Sequence, residues 1–247
     1  MSLFSELNLP INPLDLLQIS RRQPCPKCSK MSHWYCSSCG IPVTIPKIDV
    51  PSLPIPLTTL FYPGENLKKS SVQLVNALQI ENFNVDIIDF QKKPEDGSIL
   101  LFPSEDAVEL SSINLKETKH IYVLDCTWPQ AYKCIQSNFL LNIQKVKICN
   151  HKTEFWRPHG KGENSSYLST CECIYWLNKE ISSLLELNQN YDGIMTLFVA
   201  QACLVKQQMY QQGRVVIALG RKGEKQYGGW LDLEKSLKDK YETNDSH

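Results

Sequence analysis

The sequence predicts an α/β protein, a layered parallel sheet preceded by a small metal-bound segment. Two features carry this expectation. From Leu57 onward, short apolar runs alternate with helical stretches, the pattern of strands joined by crossover helices. Ahead of them, four cysteines crowd into the fifteen residues from Cys25 to Cys39, which is metal-ligand spacing.

Taken in order, residues 1–24 form a lead-in that ends in Arg21-Arg22-Gln23-Pro24. It mixes Glu6 and Asn8 among apolar residues and has no basic stretch leading into an apolar one, so no export signal is expected. Residues 25–40 are the metal segment. Residues 41–56 carry Pro42, Pro46, Pro51, Pro54 and Pro56 and read as a stiff linker. A domain over 57–220 follows. Residues 57–62 read as a strand, followed by a helical stretch with Leu67, Leu74, Val75 and Leu78. A second strand is expected over 84–90. Ile99-Leu100-Leu101-Phe102 and Ile121-Tyr122-Val123-Leu124 are short and wholly apolar, as buried parallel strands are. A weaker strand covers 143–149, and longer helices cover 170–187 and 193–211. The charged segment 221–247 reads as a loose tail around one amphipathic turn at 230–237.

No apolar run of the 247-residue sequence approaches the roughly eighteen residues of a membrane span, so no membrane partner is expected. Ten cysteines without an export signal argue against a disulfide framework. Six of them, Cys126, Cys134, Cys149, Cys171, Cys173 and Cys203, sit mostly in apolar company and read as small core residues. The net charge of zero by itself argues against a nucleic-acid partner. Its distribution is less neutral. Arg21, Arg22, Lys27 and Lys30 come with no acid, and Lys145, Lys147, Lys152, Arg157 and Lys161, with His151 and His159, face only Glu154. These stretches are either solvated faces or contacts to RNA phosphate.

Cys25-Pro26-Lys27-Cys28 and Cys36-Ser37-Ser38-Cys39 are two CxxC pairs separated by seven residues. Each pair can turn two thiolates toward one ion, and the two together complete a tetrahedral site. With four cysteines and no open position, the expected ion is structural zinc. Gly40 lets the second turn close tightly. A redox role needs only one pair at a helix start and is disfavoured. His33 lies between the pairs and could replace a cysteine, but four already suffice.

Leu124-Asp125-Cys126-Thr127-Trp128 sits where an apolar strand ends, and ligands of open α/β sheets gather at the carboxyl ends of strands. The plainer reading is that Asp125 caps a helix starting near Trp128. Phe102-Pro103-Ser104-Glu105-Asp106 also follows a strand, where Ser104 can cap the next helix and leave backbone N–H groups for a ligand carboxylate. Leu168-Ser169-Thr170-Cys171-Glu172 contains the Ser-x-x-Glu pattern of a capping box.

Asp125-Cys126-Thr127-Trp128 resembles the Asp-x-Thr-Trp motif of the DTW-domain family, the tRNA-uridine aminocarboxypropyltransferases. Phe61-Tyr62-Pro63-Gly64-Glu65, the segment from Leu101 to Ala107 and Leu168-Ser169-Thr170-x-Glu172 follow the family's order. An N-terminal four-cysteine segment is likewise common there, so the resemblance covers about residues 25 to 212. Two departures stand out: Cys173 where a small alanine is usual, and Tyr62 where histidine is frequent.

The resemblance implies a SPOUT-like sheet with a C-terminal trefoil knot. It also implies S-adenosylmethionine as group donor, held by Phe102, Pro103, Ser104 and Asp106, by Thr127 and Trp128, and by Leu168, Ser169 and Thr170. The aminocarboxypropyl group would pass to N3 of a tRNA uridine with release of methylthioadenosine. Asp125 would take the N3 proton or stabilise the sulfonium, and Trp128 would wall the donor or stack on the base. Arg21, Arg22, Lys145, Lys147, Lys152, Arg157 and Lys161 would hold tRNA. Two rivals remain open, a SPOUT-type RNA methyltransferase and a non-catalytic zinc-knuckle RNA-binding protein. The family suggests the nucleus as compartment, with the cytoplasm as the alternative.

Overall fold

A computed structural model describes residues 3–137, 140–154, 167–212, 216–217, 225–226 and 230–242. Six parallel strands form its central sheet. They are β1 (Leu57–Phe61), β2 (Phe83–Ile87), β3 (Ser98–Leu101), β4 (Val108–Glu109), β5 (His120–Asp125) and β6 (Gln144–Lys147), in the spatial order β2-β1-β5-β3-β6-β4. The wholly apolar runs take the centre: Leu57 to Phe61 pairs with Ile121 to Asp125, and Ser98 to Leu101 pairs with His120 to Val123. The two-residue alternation of a strand then splits their side chains between two cores. Leu57, Phe61, Ile99, Leu101, Ile121, Val123 and Val146 face the larger one. Leu60 and Leu100 face the smaller, which α4 (Trp128–Gln136) closes with Ala131 and Cys134.

The larger face is covered by helices. α5 (Thr170–Leu184) and α6 (Thr196–Gln211) supply most of it, and from Leu197 to Cys203 α6 is buried nearly all round. The expected helices over 170–187 and 193–211 are these two, the second preceded by a 3-10 turn at Asp192–Met195. The stretch expected to be helical around Leu67 to Leu78 is broken instead. A 3-10 turn at Leu67–Lys69 stops at Ser70, and α3 covers only Val72–Asn76. The Ser70 hydroxyl accepts from the Val72 N–H at 3.0 Å and donates to Asp125, so the serine is committed to the carboxyl end of β5 rather than to a continuous helix.

The lead-in is part of the large core. α1 (Leu3–Glu6) buries Phe4, α2 (Pro13–Gln18) buries Leu14 and Leu16, and the segment between them buries Leu7 and Leu9. The segment expected to be a loose tail contains α7, a 13-residue helix over Trp230–Glu242, longer than the turn expected at 230–237. Trp230, Leu233 and Leu237 recur at helical spacing and are buried, so the helix docks by its apolar stripe. Polar ties close the junction: Tyr241 accepts from the Leu9 N–H at 3.2 Å, Lys240 donates to the Leu7 carbonyl at 2.6 Å, and buried Asp192 accepts from the Asn8 N–H at 2.7 Å. The linker also lies against the core, through Ile48, Leu53 and Ile55. The trefoil knot implied by the resemblance would involve segments outside the described residues.

The cysteine segment is built from two small antiparallel ladders, Gln23–Pro24 with Met31–Ser32 and Tyr35–Cys36 with Ile41–Pro42. Between them Trp34 is buried and donates its indole N–H to the Leu16 carbonyl at 2.7 Å. His33 is turned to the Ile19 carbonyl and stacked on Trp34, away from a ligand role. On the other side Gly40 abuts α3. Its φ is +64°, and a Cβ there would lie 2.1 Å from Asn76 Nδ2 and 2.3 Å from Gln73 Oε1. Gly40→Ala should therefore cost about 1–3 kcal/mol, from left-handed backbone strain and from overpacking against α3. A urea unfolding series would measure the loss, and an unchanged midpoint would mean that the segment is not seated on α3 as described.

Candidate functional site

Parallel strands end on the same side, and a cavity of about 750 Å³ opens at the carboxyl ends of β3, β5 and β6, where the topology favours ligands. Leu101, Phe102 and Pro103 line it from β3, Val123 to Trp128 from β5, and Lys147 to His151 from β6. Tyr167 to Thr170 and Cys173 close it from the start of α5, and Lys69 to Ser71 from the start of α3. The volume lies within the range of small-molecule sites.

Asp125 is the last residue of β5, and neither of its oxygens caps α4. Thr170 donates to Oδ1 at 2.9 Å and Ser70 donates to Oδ2. Burial pushes the Asp125 carboxyl above the ordinary aspartate range, the Ser70 and Thr170 hydroxyls pull it down, and the charge of Glu65 adds to the rise. The cap belongs to Thr127, whose N–H and hydroxyl donate to Gln130 Oε1 at 2.8 and 2.6 Å. Gln130 in turn donates to Glu65 at 2.8 Å, which ties the Pro63-Gly64-Glu65 turn to the head of α4.

The capping box expected at Ser169 is present: Ser169 N–H donates to Glu172 at 2.7 Å, and Ser169 Oγ accepts from the Glu172 N–H at 3.4 Å. Glu172, fully buried, also accepts from the Glu154 N–H at 2.7 Å and from Thr153 at 2.9 Å. Burial raises its pKa against these donors. One carboxylate thus pins the loop after β6 to the start of α5. Cys171 N–H donates to Ser71 Oγ at 3.1 Å, so α3 and α5 meet directly behind Asp125. The Cys173 thiol faces the same cavity and is pushed up to about 12 by burial, then by Glu172 and Asp125. It is a wall, and its thiolate is disfavoured.

Trp128 is 43% exposed at the cavity mouth, with Phe102, Tyr132 and Tyr167 around it at centroid distances of 5.8, 6.4 and 5.5 Å. At another part of the wall His151 stacks on Trp176 at 3.7 Å and pairs with Glu180 at 2.9 Å. Of the residues that the resemblance assigns to the donor, Phe102, Pro103, Thr127, Trp128, Leu168, Ser169 and Thr170 line the cavity, and Ser104 and Asp106 do not. Ser104 caps no helix; its hydroxyl donates to Asp106 at 2.6 Å. Asp106 is occupied by Lys145 at 2.7 Å, and its carboxyl is lowered by Lys145 and then Ser104. Ser70 and Tyr167 belong to no motif in the sequence, although Ser70-Ser71 interrupts the expected helical stretch between Leu67 and Leu78.

The basic stretch is partly neutralised by the fold. Lys145 is buried on Asp106, which removes it from the surface expected to hold tRNA, and Lys147 pairs with Glu109 at 3.1 Å. Arg21, Arg22 and Lys152 are exposed, while Arg157 and Lys161 lie outside the described residues.

Ligand sulfurs of Cys25, Cys28, Cys36 and Cys39 lie within 4.8 Å of one another, close enough to share one ion. Burial opposes ionisation at Cys36, yet hydrogen bonds led by the Ser38 and Cys39 backbone bring it down to about 6. Cys39 is pushed up to about 12, by burial and then by the other three sulfurs. Four thiolates cannot share this space without a cation.

A family model of the DTW domain matches residues 22–206. The chain is 26% identical to tRNA-uridine aminocarboxypropyltransferase 1 of Xenopus tropicalis, over 73% of this chain and 76% of that protein. With the proteins of the same name from Mus musculus and Homo sapiens, identity is 24% and 26%. The shares of this chain are 76% and 66%, and of those proteins 79% and 69%. No solved structure matches the chain significantly.

The raised Asp125 carboxyl makes a stability prediction. A carboxyl that holds its proton more tightly in the fold than in the unfolded chain favours the fold at low pH. It loses that contribution as pH rises through its raised value. Asp125→Asn should therefore melt at an equal or higher temperature than the parent near neutrality, with the gap closing toward about pH 4, the ordinary carboxylate range. Thermal melts across that range decide it; a variant less stable near neutrality would mean that the two hydroxyl donors outweigh burial.

Proposed function

The chain belongs to the DTW-domain family, and from that premise we propose that it is a tRNA-uridine aminocarboxypropyltransferase. It moves the 3-amino-3-carboxypropyl group of S-adenosylmethionine to N3 of a tRNA uridine. The observation that carries the reading is the meeting of Asp125, Trp128 and Thr170 on one cavity at the strand ends, inside the span matched by the family model. The relatives of that name, 24–26% identical for the three compared, support it.

The cavity suits the donor: apolar walls from Leu101, Phe102, Val123 and Ala131 surround one half-buried carboxylate. When bound, S-adenosylmethionine supplies the electrophilic carbon and its own leaving group. The protein's work is then orientation and proton removal. Asp125 is the base toward uridine N3, its raised pKa bringing it nearer an imide than a solvated aspartate stands. Ser70 and Thr170 each fix one of its oxygens, so the carboxylate does not turn away from the reacting atom. Trp128 walls the donor and stacks on the flipped base. Arg21, Arg22 and Lys152, with Arg157 and Lys161, draw in the tRNA backbone. Cys25, Cys28, Cys36 and Cys39 hold one structural zinc ion with no coordination position left for catalysis. The nucleus is the compartment we assign, with the cytoplasm as the alternative.

The decisive experiment is the nucleoside by-product formed from labelled S-adenosylmethionine and unmodified tRNA. Methylthioadenosine is the expected product. Adenosylhomocysteine would make the protein a methyltransferase, and no by-product at all would leave an RNA-binding protein. In the same assay Asp125→Asn should lose roughly two to four powers of ten in single turnover while both substrates bind nearly as before. Near-normal turnover would remove Asp125 as the base.

Metal analysis of freshly purified protein should find about one zinc per chain, and Cys36→Ser should lose it with its N-terminal segment destabilised. Protein purified free of metal yet fully folded would refute the assignment.

A further inference from the structure

Three aromatic rings stand exposed in a row at the cavity mouth. Tyr167, Trp128 and Tyr132 are 38%, 43% and 50% exposed, and Trp128 contacts the other two at 5.5 and 6.4 Å. Buried Phe102 supports the row from beneath, 5.8 Å from Trp128 and 5.7 Å from Tyr132, edge-on to the latter. Trp128 and Tyr167 line the cavity, but Tyr132 does not. It stands one helical turn beyond Trp128 on α4 (i, i+4), where side chains share a face. Stability gives no reason for this placement, since rings left half in water forgo the stabilisation of burial.

We propose that Tyr132 extends the site into a stacking surface for an unpaired RNA base adjacent to the reacting uridine. This rests on the reading of the protein as a tRNA-modifying enzyme and adds a contact to it. An enzyme that works on a base must take it out of its stack, which leaves the neighbouring base without a partner at the mouth of the site. A flat aromatic ring replaces that partner without regard to sequence. The charge agrees: α4 carries no acid from Trp128 to Gln136, and Lys133, exposed beside Tyr132, suits a phosphate. The surface is also continuous with the cavity, through Trp128.

The test uses the full chain with its metal retained. Tyr132→Ala should weaken tRNA binding, followed by fluorescence anisotropy, by about 5- to 100-fold. Tyr132→Phe should bind as the parent does, because the ring and not the hydroxyl stacks. Tyr132→Leu keeps apolar bulk without a ring face and should bind like the alanine variant. The dependence on salt should keep its slope in all three, since no phosphate contact is removed. S-adenosylmethionine binding by calorimetry should be unchanged, which also reports that each variant is folded. If the alanine and leucine variants bind tRNA as tightly as an active parent, the stacking surface is overturned and the enzymatic reading stands. If leucine alone restores binding, the surface is a generic apolar contact and stacking is overturned. A parent that neither binds tRNA nor modifies it overturns both.

Discussion

The placement of one carboxylate at the end of the central strand organises the rest of this protein. Asp125 ends β5 in a half-buried position, where an acid needs hydrogen-bond donors. Its donors come from two distant segments, Ser70 ahead of α3 and Thr170 at the head of α5. Each is thereby fixed at the cavity, and each helix begins where its hydroxyl is needed. Ser71, bound by Cys171 N–H, joins the two helix starts behind the acid. Glu172 repeats the arrangement one layer back, collecting Ser169, Thr153 and Glu154. Two acids, both raised by burial, hold together loops that have little apolar surface of their own.

The cysteine segment is continuous with this organisation. Trp34 anchors it to α2 and Gly40 presses it against α3, the helix whose approach carries Ser70 and Ser71. A metal-bound turn too small to fold alone is in this way seated between two elements of the main core. The chain ends do comparable work, since α2 and α7 pack on α6, α1 packs on α7, and Phe4 meets Phe198 of α6 edge-on.

Charge and aromatic surface are distributed unequally. Lys145 and Lys147 are answered by Asp106 and Glu109, whereas Arg21, Arg22, Lys133 and Lys152 stay exposed. The aromatic side chains are spent the other way. Trp128, Tyr132 and Tyr167 stay open around the cavity mouth although a large core was available, which is the mark of a surface kept for a ligand.

The amino-acid sequence alone carries the layered α/β class, the central strands, the two long helices, the four-cysteine cluster and the strand end that holds Asp125. Those features are local: apolar runs, two- and 3.6-residue periodicities, and ligand spacing are read within a few residues. It also made the capping box at Ser169 legible, because that motif closes within three residues. Tertiary structure alone decided what joins across long separations. Ser70 left its expected helix because Asp125, 55 residues away, offered its hydroxyl a half-buried carboxyl oxygen. Lys145 left the basic face for Asp106, 39 residues away, and Ser104 turned to the same acid instead of capping a helix. The C-terminal turn became α7 because Trp230, Leu233 and Leu237 found a core to enter. Hydrogen bonds and ion pairs of this kind depend on which segments the sheet order brings together, and no window of sequence contains that order.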